Sequence, residues 1–196
     1  DGGFTVRLDT RPVRTPAKSP LVLPTKALAE AVAAEWDAQS GLVNPATMPF
    51  TRTANSAIDK VAPQFDEVVA IVAAYGETDL LCYRAPGPEP LVTRQAAGWD
   101  PVLHWAATAL GAPLQTATGV MHITQPPASL AALTARVAAL TPFQLAAFHD
   151  LVSLSGSLVL AFAVTTRHLD AETAWTLSRI DETWQAELWG IDEEAA

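Results

Sequence analysis

Prolines at positions 12, 16, 20 and 24 recur every four residues, and no other feature restricts the chain's early fold so tightly. Proline lacks a backbone N–H and fixes φ, so a helix across this stretch is forbidden and any strands must be short and lie at edges. The surrounding residues agree: FTVRLD (4–9) alternates Phe4, Val6 and Leu8 with Thr5, Arg7 and Asp9, and PVRTP (12–16) follows after two residues, which predicts a hairpin. LVLP (21–24) reads as a further short strand. Thr25 can then cap a helix through KALAEAVAAEWDAQ, with Leu28, Val32 and Trp36 on one face and Gly41 as its end.

Beyond GLVNPATMP the pattern turns helical, with TRTANSAIDKV and PQFDEVVAIVAAY separated by Pro63 and the second stopped at Gly76. TDLLCYRAPGPEP reads as a connection, since Pro86, Gly87, Pro88 and Pro90 break any periodicity. LVTRQAAGWDPVLHWAATAL predicts a helix kinked or split near Pro101, GVMHITQPP a short strand or extended connector, and SLAALTARVAAL a helix with Ser129 as its cap. Thr141 and Pro142 suit the start of a long helix to about His168, and Asp170 suits the cap of the last one. In that last helix Leu177, Ile180, Trp184, Leu188 and Ile191 make one narrow stripe that must pack on the rest. No repeat of 20 to 50 residues is visible, which argues against a solenoid. The fold class expected is α+β: a small strand-rich N-terminal domain with one helix (1–49), followed by a larger all-helical domain (50–196).

At 196 residues and 49% hydrophobic, the chain can bury a sizeable core. Its net charge of −9 opposes the phosphate neutralisation on which nucleic-acid binding depends, so no nucleic-acid partner is expected. The charge is concentrated. From Asp170 onward eight carboxylates (Asp170, Glu172, Asp181, Glu182, Glu187, Asp192, Glu193 and Glu194) face Arg179 alone, whereas residues 1–26 carry Arg7, Arg11, Arg14, Lys18 and Lys26 against Asp1 and Asp9. The single cysteine, Cys82, allows no internal disulfide and fits a reducing compartment. The opening DGGFTVRLD has neither a basic nor an apolar leader segment, so no signal peptide is expected. LVSLSGSLVLAFAV (151–164) is shorter than the ~20 residues a bilayer span needs. It reads as a buried core helix, and no membrane insertion is expected.

Catalysis finds little support. If residues 171–194 are helical, Trp175, Glu182, Trp189 and Glu193 share one side, but Glu182 and Glu193 lie about 16 Å apart at ~1.5 Å rise per residue, too far for a glycosidase pair at ~5 to 9.5 Å. Asp192, Glu193 and Glu194 lack the alternating oxygen ligands and sharp glycine of a calcium loop. Ser155 and Ser157 lack the first glycine and the strand-to-helix setting of a nucleophile elbow, and read as small packing residues. Cys82 reads as a buried thiol. His104, His122, His149 and His168 are too scattered for metal ligation. No glycine-rich phosphate loop is present. No cofactor, no metal and no enzymatic activity are expected. Tryptophans among the C-terminal acids point to a docking surface instead, because tryptophan is favoured as an interface anchor.

LDTRPVRTPAKSPLVLP, AEWDAQ, MPFTRTANSAID, YGETDLLCYR, QAAGWDPVLHW and DETWQAELWGIDEE occur in an order that resembles the assembly chaperones for the α subunit of the ATP synthase catalytic head. The resemblance covers nearly the whole chain. It implies a non-enzymatic protein that binds the free α subunit and prevents its aggregation until it pairs with the β subunit; a monomer is expected. It also implies a small β-rich N-terminal domain, a helical C-terminal one, and a functionally important glutamate in the Trp-Gly-x-x-Glu ending, which falls on Glu193 after Trp189 and Gly190. The candidate client-binding residues are Glu193 and Trp189, supported by Glu182, Gln185, Asp192, Glu194 and Trp175. A bacterial cytoplasm is the compartment expected from the alanine-rich composition, or the mitochondrial matrix for a eukaryotic source. Two other classes stay open at this point. One is a small hydrolase or metal-dependent enzyme using TDLLCYR and the C-terminal acids, which requires a concave site where they converge with a histidine. The other is an adaptor with a different client.

Overall fold

A computed structural model describes residues 2–190 of the chain. The protein is α+β, with helices α1 to α9 and four strands of two residues each among the described residues. It divides into two compact units: residues 1–68 with 140–147, and residues 69–139 with 148–196.

In the first unit the proline-spaced segment does what its chemistry allows. β1 (Arg7–Leu8) and β2 (Arg11–Pro12) form the expected antiparallel hairpin, Arg7 opposite Pro12 and Leu8 opposite Arg11. Phe4 and Leu23 exchange both backbone hydrogen bonds (2.9 and 2.7 Å), so the LVLP segment pairs as a single bridge instead of a longer strand. Val6, Val13, Leu21 and Leu23 point inward onto α1 (Lys26–Asp37), where Ala29 and Val32 complete a small core with Ala54. Thr25 caps α1 by accepting the Leu28 N–H at 3.2 Å, and the helix ends at Asp37, before the expected Gly41.

This unit extends past the residue-49 boundary read from the sequence, and two carboxylates account for that. Glu35 on α1 accepts the N–H groups of Phe50 (2.6 Å) and Thr51 (2.7 Å), capping α2 (Pro49–Ser56) from outside the helix. Asp59, in the π-helical turn that continues α2, accepts from Thr15 Oγ1 at 2.7 Å and Ala17 N at 3.0 Å. The hairpin segment, α1 and α2 are thus tied together by side chains that no periodicity reveals.

The second unit is mostly helical but not all-helical as expected, because Tyr83–Arg84 (β3) and Ala117–Thr118 (β4) pair in parallel. α3 (Phe65–Ala73) leads into it, and α4 (Glu89–Trp105) runs through Pro101 without a break before a π-helical turn closed by Gly111 at φ 68°. GVMHITQPP is an extended connector beyond β4. α5 (Pro127–Ala138) starts two residues before Ser129, whose hydroxyl donates instead to the Pro113 carbonyl at 2.7 Å. Thr141 and Gln144 form a capping box at the start of α6 (Pro142–Ser155), with N–H bonds of 3.3 and 2.9 Å.

The long helix expected from Thr141 to His168 is two helices. Gly156 adopts φ 69°, Ser157 caps α7 (Leu158–Thr165) by accepting Leu160 N–H at 3.0 Å, and residues 158–163 are buried. The final helix is likewise two, α8 (Ala171–Ser178) and α9 (Ile180–Trp189), interrupted at Arg179 with φ −111° and ψ 17°. Asp170 caps α8 as expected, accepting Thr173 N–H at 2.7 Å, and this bond holds its carboxyl below the usual range. Among the described residues no helix is long and apolar enough to cross a membrane.

Candidate functional site

The C-terminal helices are positioned by α4, through four successive attachments. Arg94 forms a bidentate pair with Glu187, both bonds 2.9 Å, and its guanidinium lies 5.1 Å from the Trp184 ring. The Arg94 hydrogen bonds hold the Glu187 carboxyl below its ordinary range. Fully buried Gln95 donates to Asp181 at 2.6 Å, Trp99 donates its indole N–H to the Leu177 carbonyl at 2.8 Å, and Gly98 lies beneath Leu177 and Ile180. A Cβ at Gly98 would stand 2.8 Å from Ile180 Cδ1 and 3.0 Å from Leu177 Cδ2, so a larger residue would oblige these side-chain ends to shift.

The break at Arg179 alters the face geometry read from a continuous helix. Leu177, Ile180 and Trp184 do pack inward, but Leu188, expected in the same stripe, is 58% exposed, and Ile191 lies outside the described residues. Trp175 and Glu182 no longer belong to one helix. Arg179 joins them: its guanidinium carbon lies 4.3 Å above the Trp175 ring, Nη1 donates to Glu182 Oε1 at 2.6 Å, and Nη2 donates to the Leu154 carbonyl of α6 at 2.8 Å. Glu182, Gln185 and Trp189 are all exposed on α9, Trp189 at 85%. The remaining candidates, Asp192, Glu193 and Glu194, lie outside the described residues.

Sequence reasoning treated the C-terminal acids as a set, and the structure divides them. Asp181 and Glu187 are engaged by α4, while Glu182 faces outward. It also missed an apolar groove beside Trp175. The groove is walled by Leu151 and Leu154 of α6, Leu160 and Val164 of α7, and Trp175 of α8. Leu154 is 61% exposed although it lies in the stretch read as a core helix.

Of the residues an enzyme reading would use, Asp79 and Cys82 are both buried. Asp79 is fully buried; its carboxylate accepts from Ser157 Oγ (2.7 Å), Val159 N (3.0 Å) and Leu81 N (3.1 Å). Burial raises its pKa against the opposing pull of those hydrogen bonds. Cys82 is also fully buried, and burial, with Asp79 nearby, pushes its thiol up to about 12. His168 stacks on Trp105 at 4.6 Å and His122 lies 3.4 Å from the Tyr83 hydroxyl. Among the described residues no three His, Cys, Asp or Glu side chains cluster as a metal site would require.

Comparison with known proteins gives consistent matches. The family described as ATP12 chaperone protein matches residues 1–107. The protein named "Protein atp12, mitochondrial" from Schizosaccharomyces pombe is 25% identical over 207 residues, spanning 100% of this chain and 71% of its own length. Among solved structures, Atp12 from Paracoccus denitrificans is 58% identical with a TM-score of 0.96, covering 100% of this chain and 84% of that one. A chaperone-type protein from Agrobacterium tumefaciens is 49% identical with a TM-score of 0.95, covering 99% and 73%.

Proposed function

The chain belongs to the ATP12 family of ATP synthase assembly chaperones, and on that premise we propose that it binds the free α subunit of the catalytic head through the outward face of α8 and α9. Family membership carries the reading. Its physical support is an exposed array, Trp175, Glu182, Gln185 and Trp189, on helices whose other side is fastened to α4. Rigid attachment matters, because a surface held in place loses less entropy on binding than one that must first be ordered.

An orphan subunit exposes surface meant for a neighbour, and such surface aggregates unless covered. The tryptophans supply apolar anchors. The carboxylates steer basic groups on the client and limit affinity, since peripheral charges affect association rate more than total binding energy. Glu193, which the family resemblance marks, follows Trp189 by four residues, with Asp192 and Glu194 on either side, and these three extend the client surface in this reading. The protein acts as a monomer without catalysis, in the bacterial cytoplasm or, for a eukaryotic source, the mitochondrial matrix. The decisive experiment is co-purification from native lysate: the α subunit should come down with the protein in the absence of β. Recovery of an unrelated client without α would favour a general adaptor instead.

A further inference from the structure

The groove between the second half of α6, α7 and α8 has a volume of about 190 Å³ and almost no free polar lining. Its one hydroxyl, on Ser155, is engaged internally: Oγ donates to the Leu151 carbonyl at 2.6 Å and accepts the Ser157 N–H at 3.2 Å. An occupant therefore meets a surface that rewards apolar side chains and offers no partner to a polar one. Leu154 and Trp175, the most exposed of the large lining residues, leave it open to solvent at 61% and 50% exposure.

Two observations narrow the occupant. First, the walls are helices, whose backbone groups are bonded within each helix, so an extended peptide finds no strand edge to pair with. A helical segment brings its own backbone bonds and needs to insert only side chains. Second, the rim is acidic. Asp150 lies four residues before Leu154 on α6 and Glu172 three before Trp175 on α8, spacings that make each carboxylate a neighbour of an exposed apolar residue. Among the described residues neither pairs with a lysine or arginine; Asp150 meets only His149, at 3.3 Å, and Arg179 is already matched by Glu182. Asp150, Asp170, Glu172 and Glu182 against Arg167 and Arg179 leave the surroundings at −2.

We infer that this groove receives the apolar face of a basic amphipathic helix of the client, with lysines or arginines beside its anchor residues meeting Asp150 and Glu172. The assignment rests on the functional reading above, in which the client is the free α subunit. It adds to the Trp175 surface a recess walled on α6 and α7 by residues outside the sequence-predicted set.

The test is a binding titration of the full chain with purified α subunit, using substitutions at exposed groove positions. Ala171→Phe fills the groove mouth, and Leu154→Lys removes an apolar lip and halves the local negative charge. Each should weaken binding about tenfold or more. The pair Asp150→Lys and Glu172→Lys, which touches no core residue, should weaken it about threefold to tenfold and flatten its dependence on salt. Wild-type affinity in both Ala171→Phe and Leu154→Lys would overturn the groove assignment; weakening by Glu193→Lys in the same assay would show that the functional reading survives it. No binding of α subunit by the wild-type chain would overturn the functional reading and the assignment together. Intact α binding combined with loss of a concentration-dependent dimer in Ala171→Phe would identify a second copy as the occupant and also overturn it.

Discussion

Two helix interruptions in the second unit, at Gly156–Ser157 and at Arg179, are the same local event put to different uses. The first is sealed in the core. Asp79, 78 residues away in sequence from Ser157, accepts from the Ser157 hydroxyl and Val159 N–H, and Leu80 N–H bonds to the Gly156 carbonyl at 3.1 Å. The second is on the surface, where Arg179 uses the interruption to hold Trp175, Glu182 and the Leu154 carbonyl in one cluster. A break whose polar groups are satisfied by buried partners serves stability. One whose partners are exposed leaves side chains facing solvent, where a client can reach them.

That contrast predicts opposite responses to mutation. Asp79→Ala leaves the Ser157 hydroxyl and two buried N–H groups without acceptors and should cost about 3 kcal/mol, lowering Tm by roughly 10 °C, while the folded fraction still binds client. Equal melting of the variant and wild type would break the comparison at its buried end. Gly98→Ala should follow with a loss of no more than about 1 kcal/mol, because the added methyl displaces the side-chain ends of Ile180 and Leu177 while alanine regains about 1 kcal/mol of helix propensity inside α4; thermal melts check it.

The raised pKa of Asp79 carries a sign. A carboxyl whose folded pKa exceeds its unfolded value contributes stability that is complete below the unfolded pKa, about 4, and lost as pH rises through the folded value. The stability difference between wild type and Asp79→Asn should therefore shrink as pH rises above about 4. A difference that grows with pH would show the hydrogen bonds prevailing over burial.

Arg179→Ala should leave Tm within a few degrees of wild type, as expected for a partly exposed ion pair, but weaken α-subunit binding about threefold by releasing Trp175 and Glu182. The smallest effect is expected at Arg94–Glu187. The pKa of Glu187 is depressed, so the clasp contributes above the unfolded pKa and is lost as pH falls through the folded one. Hydrogen exchange in α9 should accelerate in Arg94→Ala, and at acid pH in wild type, with little change in global melting. Unchanged exchange in α9 would show that the Gln95–Asp181 bond and the packing of Ile180 suffice to hold it.

Local chemistry made much of the fold legible. Thr25, Thr141 with Pro142, and Asp170 announce helix starts because an N-cap acts within three residues, and the proline spacing announces the short bridged strands. Both interruptions stayed hidden for a physical reason. Leu177, Ile180 and Trp184 keep helical spacing whether or not one residue between them departs from helical angles, and the contacts Arg179 makes there include the Leu154 carbonyl, 25 residues away. The α6–α7 break depends on Asp79, equally remote in sequence. Trp189, Glu182 and Gln185 were readable as exposed because nothing in their neighbourhood asks for burial. Leu154 was not, because its exposure follows from where α8 leaves the groove open.

The most direct test of the account is a titration of purified α subunit, without β, with the full chain and with its Glu193→Lys and Trp189→Ala variants. Wild type should form a soluble one-to-one complex, and each variant should lose affinity about tenfold or more at unchanged Tm. Wild-type affinity in both variants would contradict it.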